Sequence, residues 1–415
     1  VDPEAMTVCA QAGVITLDAI NAAKAEGLLL TVDPASKAAS SIGGNVAENS
    51  GGPFAFEYGT TIDAVLSYEM VTPTGERITV RRADHPRHKI FEDETAVFEV
   101  LDADGRTLRS IELQGSELRG PNLGKDVSNK FLGGLPGMQK EGVDGIITSA
   151  CFVCHKVLEH SRVLCLEFYG RSMHNAMLVI KDVVALRNTI REQGDLVKIS
   201  ALEEFGSKYV TAIEYQRKAE DQDADPISVL ILQLDSDDEH ALTEAADAIV
   251  ALTQPYPGVE IFAARDAAEA ELFWEDRHKL SAIARRTSGF KINEDIVIPI
   301  EVIPEFADFL EQLNLKYLAK AYRRALLAAR ELKDISFEDE HVEAERERAI
   351  AVIKGNIAPP ELYESDLAAQ VRSTFLDLRD RYPRHDRELA AIYEHLTATR
   401  IEIANHMHAG DGNCH

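Results

Sequence analysis

The sequence predicts an α+β protein in two units that ends in long helices. Three observations carry this. Residues 8–80 mix short apolar runs, one helical stretch and a Gly/Ser/Asn-rich segment. Residues 163–285 alternate apolar runs with helical stretches long enough to return consecutive strands to one sheet. Residues 305–354 and 361–405 are rich in Glu, Arg and Ala and read as long helices. The expected division is 1–160 and 161–415. A length of 415 residues suits two domains of ~100–200 residues each. An apolar content of 45% excludes disorder as the dominant state. The net charge of −26 argues against nucleic acid or an anionic membrane as the main partner, while leaving room for an anionic substrate in a local cationic pocket. No run approaches ~18 apolar residues, so no membrane span is expected. Five cysteines, an odd number, point to a reducing, cytoplasmic setting rather than a disulfide framework. The opening Val1-Asp2-Pro3 offers no signal peptide, and the chain stops at His415 inside a motif that should continue, so it reads as a portion of something longer.

The elements follow in order. Val8 to Ile15 is a short apolar run, and Leu17, Ile20 and Ala23 then share a helical face that Gly27 stops. Ser40 to Gly52 is too polar and too rich in glycine for regular structure. Val65–Thr72 and Arg77–Arg82 are β-rich around a turn at Thr74-Gly75. Residues 81–125 change character. Ala96–Ala103 and Thr107–Leu113 alternate around Asp104-Gly105, the signature of an inserted hairpin. Glu141 to Lys156 is turn followed by strand. Beyond it come strands at 163–168, 227–235 and 259–264, with helices at 173–191, 239–252 and 266–285.

Two segments carry chemistry on their residues alone. In Ser41-Ile42-Gly43-Gly44-Asn45-Val46-Ala47-Glu48-Asn49-Ser50-Gly51-Gly52, glycines allow the backbone close to a ligand, and clustered N–H groups suit an anionic or carbonyl oxygen. A surface loop explains the same residues. The run is not GxGxxG, so it is not an ordinary dinucleotide fingerprint. In His406-Met407-His408-Ala409-Gly410-Asp411-Gly412-Asn413-Cys414-His415, the turn at Gly410–Gly412 can bring His408 and His415 to one divalent ion, although two histidines alone do not make a site.

Pro34-Ala35-Ser36, the run from Ile42 to Gly52, Tyr58-Gly59 and Val65 to Gly75 resemble the FAD-binding domain of the FAD-linked oxidases, the vanillyl-alcohol-oxidase type, in their D-lactate/glycolate/D-2-hydroxyglutarate dehydrogenase branch. The resemblance implies a partial PCMH-type FAD-binding domain over 1–160, then a ferredoxin-like cap with a helical insertion at about 305–400. It implies FAD contacts at Pro34, Ser41, Gly43, Gly44, Asn45, Ala47, Asn49, Gly51 and Gly52. A second contact is implied at Glu141, Gly142, Gly145, Ile146 and Ile147, where Asp144 departs from the usual small or apolar residue. His408-x-Gly-Asp-Gly-Asn413-x-His415 is similar to the family's C-terminal motif, in which two His bind a divalent metal, zinc or similar, and the Asn lines the substrate pocket. A further Glu ligand normally lies downstream. Arg277, after Trp274-Glu275-Asp276, resembles an Arg of the family that pairs with the substrate carboxylate, with a solvated helix charge as the alternative reading. Asn293, with Lys291 two before it, replaces the Lys of a relative acting on long diacids, which speaks against a long dicarboxylate. The family's upstream Pro-Gly-Gly-Gly-type pyrophosphate loop has no counterpart before Val8.

The implied reaction is oxidation of a D-2-hydroxy acid to the 2-oxo acid. Its residues are His408, His415, Asn413 and Arg277. Electrons pass to an acceptor protein or an iron–sulfur module outside this chain, in an enzyme at most peripheral to the inner membrane through a partner. Oligomers are compatible with it. The alternatives are a non-catalytic flavoprotein-like module for assembly or electron relay, and oxidation of a different alcohol. Cys151-x-x-Cys154-His155 has the c-type haem spacing but falls in a strand, so ordinary strand cysteines are expected. Asp102-x-Asp104-Gly105 lacks the Glu of a calcium loop. Glu338 to Arg348 reads as a solvated face.

Overall fold

A computed structural model describes residues 1–120, 123, 134–194, 196–279, 296–333, 335 and 340–414. The elements of the first unit are β1 (Thr7–Gln11), α1 (Thr16–Ala25), β2 (Leu28–Leu29), α2 (Ile42–Glu48), α3 (Ala55–Tyr58), α4 (Thr61–Ala64), β3 (Val65–Val71), β4 (Arg77–Arg82), β5 (Thr95–Leu101), β6 (Thr107–Gln114), α5 (Gly115–Leu118), β7 (Ile146–Val153) and β8 (His155–Lys156). Six strands make an antiparallel sheet in the order β1-β7-β3-β4-β5-β6. Val8, Val46, Tyr68, Val80, Phe98 and Phe152 fill its core. The hairpin predicted around Asp104-Gly105 is present as β5–β6. Its turn closes because the Asp102 carboxylate accepts from the N–H groups of Asp104 and Arg106, at 2.9 and 2.8 Å. That bond accounts for the acidic pair that resembled a calcium loop.

The second unit holds β9 (His160–Phe168), α6 (His174–Glu192), β10 (Lys198–Gly206), α7 (Ser207–Ala212), β11 (Ser228–Ser236), α8 (Glu239–Thr253), β12 (Val259–Ala263), α9 (Ala267–His278) and β13 (Ile296–Val297). The long helices are α10 (Ile303–Arg330), α11 (Glu340–Lys354), α12 (Glu364–Arg381) and α13 (Asp386–Thr399), and the chain returns through β14 (His406–His408) and β15 (Asn413–Cys414). The order β12-β9-β11-β10, with β-α-β-β-α-β connectivity and antiparallel neighbours, is ferredoxin-like. Helices α6 and α8 cover one face through Leu166, Val179, Ile180, Leu230 and Ile249. The other face carries Cys165, Phe205, Tyr209, Ile231 and Phe273. Strands buried on both faces need continuous apolar runs, which is what β9 and β11 supply. The sheet then grows past β10 by β14, β15 and β13.

Four expectations need correction. Ser40–Gly52 is not irregular: Ile42–Glu48 is a helix, capped by Ser41 Oγ at Gly44 N–H and ended by Asn49 in the left-handed region at φ 53°. Burial of Ile42 and Val46 outweighs the poor helix propensity of two glycines. The helices expected at 305–354 and 361–405 form four separate elements, with Gly355 at φ +79° ending α11 and Pro383 ending α12. Strand β10 went unread because Glu203 and Glu204 interrupt its apolar pattern. The cysteine reading also fails: Cys9 and Cys151 face each other in the β1–β7 register and form a disulfide. Cys154, Cys165 and Cys414 are free and buried.

The helical segment is anchored where it helps aim β14. Asn314 of α10 brackets Ile403 like a strand partner, accepting from its N–H at 2.8 Å and donating to its carbonyl at 3.0 Å. Three residues later β14 begins.

Candidate functional site

The C-terminal motif forms a tight hairpin at the sheet's growing edge. Pairing of β10 with β14 sets Glu203 opposite His408 and Phe205 opposite His406. Alternation along β10 sends Glu203 and Glu204 to opposite faces. Both are fully buried. Glu203 Oε1 lies 2.7 Å from His408 Nδ1. A carboxylate only accepts, so Nδ1 carries the proton of this bond, and in the neutral ring the lone pair is at Nε2. On the other face Glu204 accepts from Ser228 Oγ at 2.8 Å and from Asn405 Nδ2 at 3.3 Å. Burial pushes its carboxyl up to about 8, and the Glu203 charge adds to that.

The turn that follows is locked from the first unit. A Cβ built on Gly410 would come within 2.7 Å of Phe56 Cε2, so only glycine lets the Phe56 ring lie against the turn. The Phe56 carbonyl accepts from Lys89 Nζ and from Arg187 Nη1, each at 2.8 Å, and the Arg187 guanidinium sits 4.1 Å over the Phe56 ring. Next to it, Glu57 is held by Arg191 at 2.6 Å, Lys198 at 3.3 Å and Arg187 at 3.7 Å. Burial draws the Lys89 ammonium down to about 7 and the Arg187 guanidinium to about 10, with the neighbouring arginines adding to both shifts. Asp411 pulls each of the two the other way. Asp63 fixes the segment carrying Lys89, accepting from Ile90 N–H at 2.8 Å and pairing with Arg119. Glu203, Phe56, Lys89 and Arg187 were not singled out from sequence. The one usable signal was the Glu203-Glu204 pair inside a nine-residue stretch otherwise fit for a strand.

On the far side, the Tyr209 ring lies tilted 5.3 Å from the His406 ring, and its hydroxyl donates to the Asp276 carbonyl at 3.3 Å. This ties β14 to the end of α9, the helix of Arg277. The Arg277 side chain lies outside the described residues, as do His415, Lys291 and Asn293. Asn413 is buried opposite His408 and donates to the Ile296 carbonyl at 3.4 Å.

Two of the segments expected to contact the flavin lie side by side. Gln139 and Glu141 donate their N–H groups to the carbonyls of Val46 and Ala47, so the 139–147 segment lies along α2. The N–H groups of Ile42, Gly43 and Gly44 are spent on Val14, Ala12 and Ser41. Gly43 is needed because a Cβ there would stand 2.7 Å from that of Ala12; Gly52 is needed because one there would stand 2.6 Å from the Asp33 carbonyl carbon. These two glycines therefore admit neighbouring chain rather than ligand. Asn45 donates to Thr16 Oγ1 at 2.8 Å, while its own buried side-chain oxygen has no hydrogen-bond partner among the described residues. Asn49 accepts from Ile62 N–H at 2.9 Å. Among the described residues, the N–H groups of Gly51 and Gly52 make no hydrogen bond within the chain. Pro34 is buried, Ser41 and Ala47 are half-buried, and Gly142 turns the chain at φ +73°. Gly145 packs on the Val71 carbonyl, Ile147 is half-buried and Ile146 stands open to solvent.

Among the described residues no group of three or more His, Cys, Asp or Glu converges as a metal site, and no helix is long and apolar enough to cross a membrane.

Residues 1–81 match the FAD binding domain, and residues 171–327 match the C-terminal domain of FAD linked oxidases. The chain is similar to glycolate oxidase subunit GlcD of Bacillus subtilis, 46% identical over 78 residues, which are 19% of this chain and 17% of that protein. It is similar to D-lactate dehydrogenase of Anaerostipes hadrus, 45% identical over 75 residues, 18% of this chain and 16% of that protein. Glycolate oxidase subunit GlcD of Escherichia coli K12 is 25% identical over 321 residues, 76% of this chain and 53% of that protein. Along this match the chain spans about half the length of its relative.

Proposed function

This chain belongs to the FAD-linked oxidases, and from that premise we propose that it is the substrate-facing part of an FAD-dependent dehydrogenase that oxidises a short D-2-hydroxy acid to the 2-oxo acid. The observation that carries the reading is the buried pair of Glu203 on β10 with His408 of the His-x-Gly-Asp-Gly-Asn hairpin. An imidazole backed by a carboxylate is a base of fixed tautomer and orientation. His408 takes the hydroxyl proton at Nε2, and Glu203 stabilises the imidazolium that results. FAD supplies, when bound, the acceptor for the electron pair that leaves with the Cα hydrogen. Gly51 and Gly52 are the N–H donors available to hold it. Arg277 takes the substrate carboxylate, and Asn413 lines the pocket. A carboxylate behind a histidine also suits a metal ligand. The described donor set is a single imidazole, with His415 outside it, so no step here runs through a metal. The names of the relatives support glycolate and D-lactate as the first substrates to try, with electrons leaving to a partner or module.

The test is anaerobic titration of the flavin-loaded protein with D- and L-lactate, glycolate and 2-hydroxyglutarate. Bleaching of the flavin's visible band by a D-2-hydroxy acid is expected, with at least a tenfold slower rate in His408→Ala. A flavin that no 2-hydroxy acid bleaches would leave the assembly or electron-relay reading in its place.

A further inference from the structure

Beyond the first turns of α10, helices α10 to α13 contain a core of their own. Leu315, Leu318, Ala319, Tyr322, Leu326 and Ala329 point α10 inward, and Tyr322 bonds Glu345 and Thr374 at 2.9 Å each. The opposite face of α10 has a pattern that folding does not require. Phe309, Lys316, Lys320, Arg323 and Leu327 repeat at helical spacing along one exposed stripe, with Arg324 at its edge. Phe309 is 53% exposed and Leu327 38%. Elsewhere in these helices some exposed cations are paired, as in Arg346–Glu343, Arg379–Asp386 and Arg381–Asp377, while Arg348, Lys354, Arg372 and Arg387 stand singly and apart along the helices rather than clustered in one stripe. Among the described residues, Lys316, Lys320, Arg323 and Arg324 have no ion pair or side-chain hydrogen bond. Lys320 rests 4.8 Å over the Tyr317 ring. Four unpaired cations within nine residues stand out on a chain of net charge −26.

Alongside the stripe runs a groove of about 380 Å³ between α10 and α13. Ala321, Ala325, Ile392 and Leu396 floor it, with Arg324 and His395 at its rim. Alanine methyls on both helices leave an apolar channel where longer side chains would close the gap.

We propose that the stripe and groove of α10 form one docking surface for a partner protein that presents an acidic amphipathic helix. Its apolar side chains lie in the alanine groove, and its carboxylates, spaced one turn apart, meet Arg324, Lys320, Arg323 and Lys316. Charge complementarity selects this occupant: a cationic ridge on an acidic molecule favours an acidic ligand only at short range, where Debye screening has removed the long-range repulsion. A concave apolar channel beside the ridge suits a helix better than a flat lipid headgroup layer or a nucleic-acid backbone. The surface does not depend on the chemistry proposed above.

The test uses the full chain and a fluorescein-labelled helical peptide with Glu at i, i+4, i+7 and i+11 and Leu on the adjoining face, read by anisotropy. Phosphatidylserine vesicles and duplex DNA are run beside it. The peptide should bind saturably and weaken steeply from 0.1 to 0.5 M NaCl. Lys320→Glu with Arg323→Glu should weaken it at least tenfold, and Ala325→Trp, which fills the groove without changing charge, should do the same. All three positions lie in α10, so retention of the circular-dichroism spectrum checks that each variant is folded. Peptide that does not bind, or binds equally to the charge-reversed and groove-filled proteins, overturns the proposal. So does binding to vesicles or DNA in preference to the peptide.

Discussion

Gly410 and Phe56 should be energetically coupled, because the motif turn and the first unit meet at the flat face of one ring. Phe56 is 1% exposed, and its ring occupies the space a Cβ on Gly410 would need, within 2.7 Å of Cε2 and closer to Cδ2 and Cγ. Gly410 does not lie in the left-handed region, so Gly410→Ala carries no backbone strain and its cost is the overlap alone. Inserting a methyl into a packed site costs ~1–3 kcal/mol. Phe56→Ala removes the ring from under Arg187 and from the core, for ~3–5 kcal/mol. In the double variant the alanine methyl enters space the ring has left, and the overlap penalty disappears. The two losses should therefore fall short of additivity by ~1–3 kcal/mol. Trp274 is the only tryptophan and sits on the sheet that carries the motif, so urea titration followed by its fluorescence reads the right unit. Losses that add to within ~0.5 kcal/mol, or a Gly410→Ala protein as stable as the parent, would show that the ring does not brace the turn.

Glu204 is the buried acid whose raised pKa should be visible in stability. Its folded value of about 8 exceeds the ordinary 4.5, so the folded state keeps a proton that the unfolded chain has released. The stabilisation is complete below pH 4.5 and is lost as pH rises through 8, with a slope approaching ~1.4 kcal/mol per pH unit in between. Glu204→Gln should flatten the curve between pH 6.5 and 7, and an unchanged slope there would refute the assignment. The window is bounded because His85 and His155, held down to about 4 chiefly by burial, act in the opposite direction between 4 and 6.5, and Lys89, drawn down to about 7, does so above 7. Glu203→Ala strips His408 of a buried partner and should cost ~1–3 kcal/mol and at least tenfold in turnover, whereas Glu203→Gln should restore most of the stability but not the turnover. If Arg277 grips a carboxylate, Arg277→Lys should lower kcat/KM for 2-hydroxy acids nearly as much as Arg277→Ala and leave reoxidation of reduced flavin unchanged. Reduction of Cys9–Cys151, or Cys9→Ser, should lower stability by ~2–5 kcal/mol, since the bridge closes a 142-residue separation; a mass two units heavier in untreated protein would mean the thiols are free.

The parts that could be read from sequence are the ones that short-range chemistry decides. Asp104-Gly105 marks a hairpin because an aspartate cap and a glycine at φ +80° are local requirements. The strand–helix alternation of 160–263 determined a sheet because each helix must bury one face on it. Helix α2 could not be read the same way. Its glycines argue against a helix locally, and what overrides them is contact with Ala12, thirty-one residues earlier.

The site itself is a further step removed. His408 carries a motif, but the carboxylate that backs its ring is Glu203, 205 residues away, and the two meet only through the β10–β14 register. Shift that register by one and Glu204 would face the histidine instead, while Glu203 turned toward α6 and α8. The adjacent carboxylates are thus not interchangeable. Glu203 orients a ring, while Glu204 holds Ser228 and Asn405 and so keeps the strand in place. The same division of labour recurs at Phe56, whose backbone carbonyl gathers Lys89 and Arg187 while its ring braces Gly410. A residue with no chemistry of its own thereby joins the segment carrying Lys89, the α6 helix and the motif turn. Its importance follows from where the chain returns in space, a property that no local pattern around residue 56 encodes.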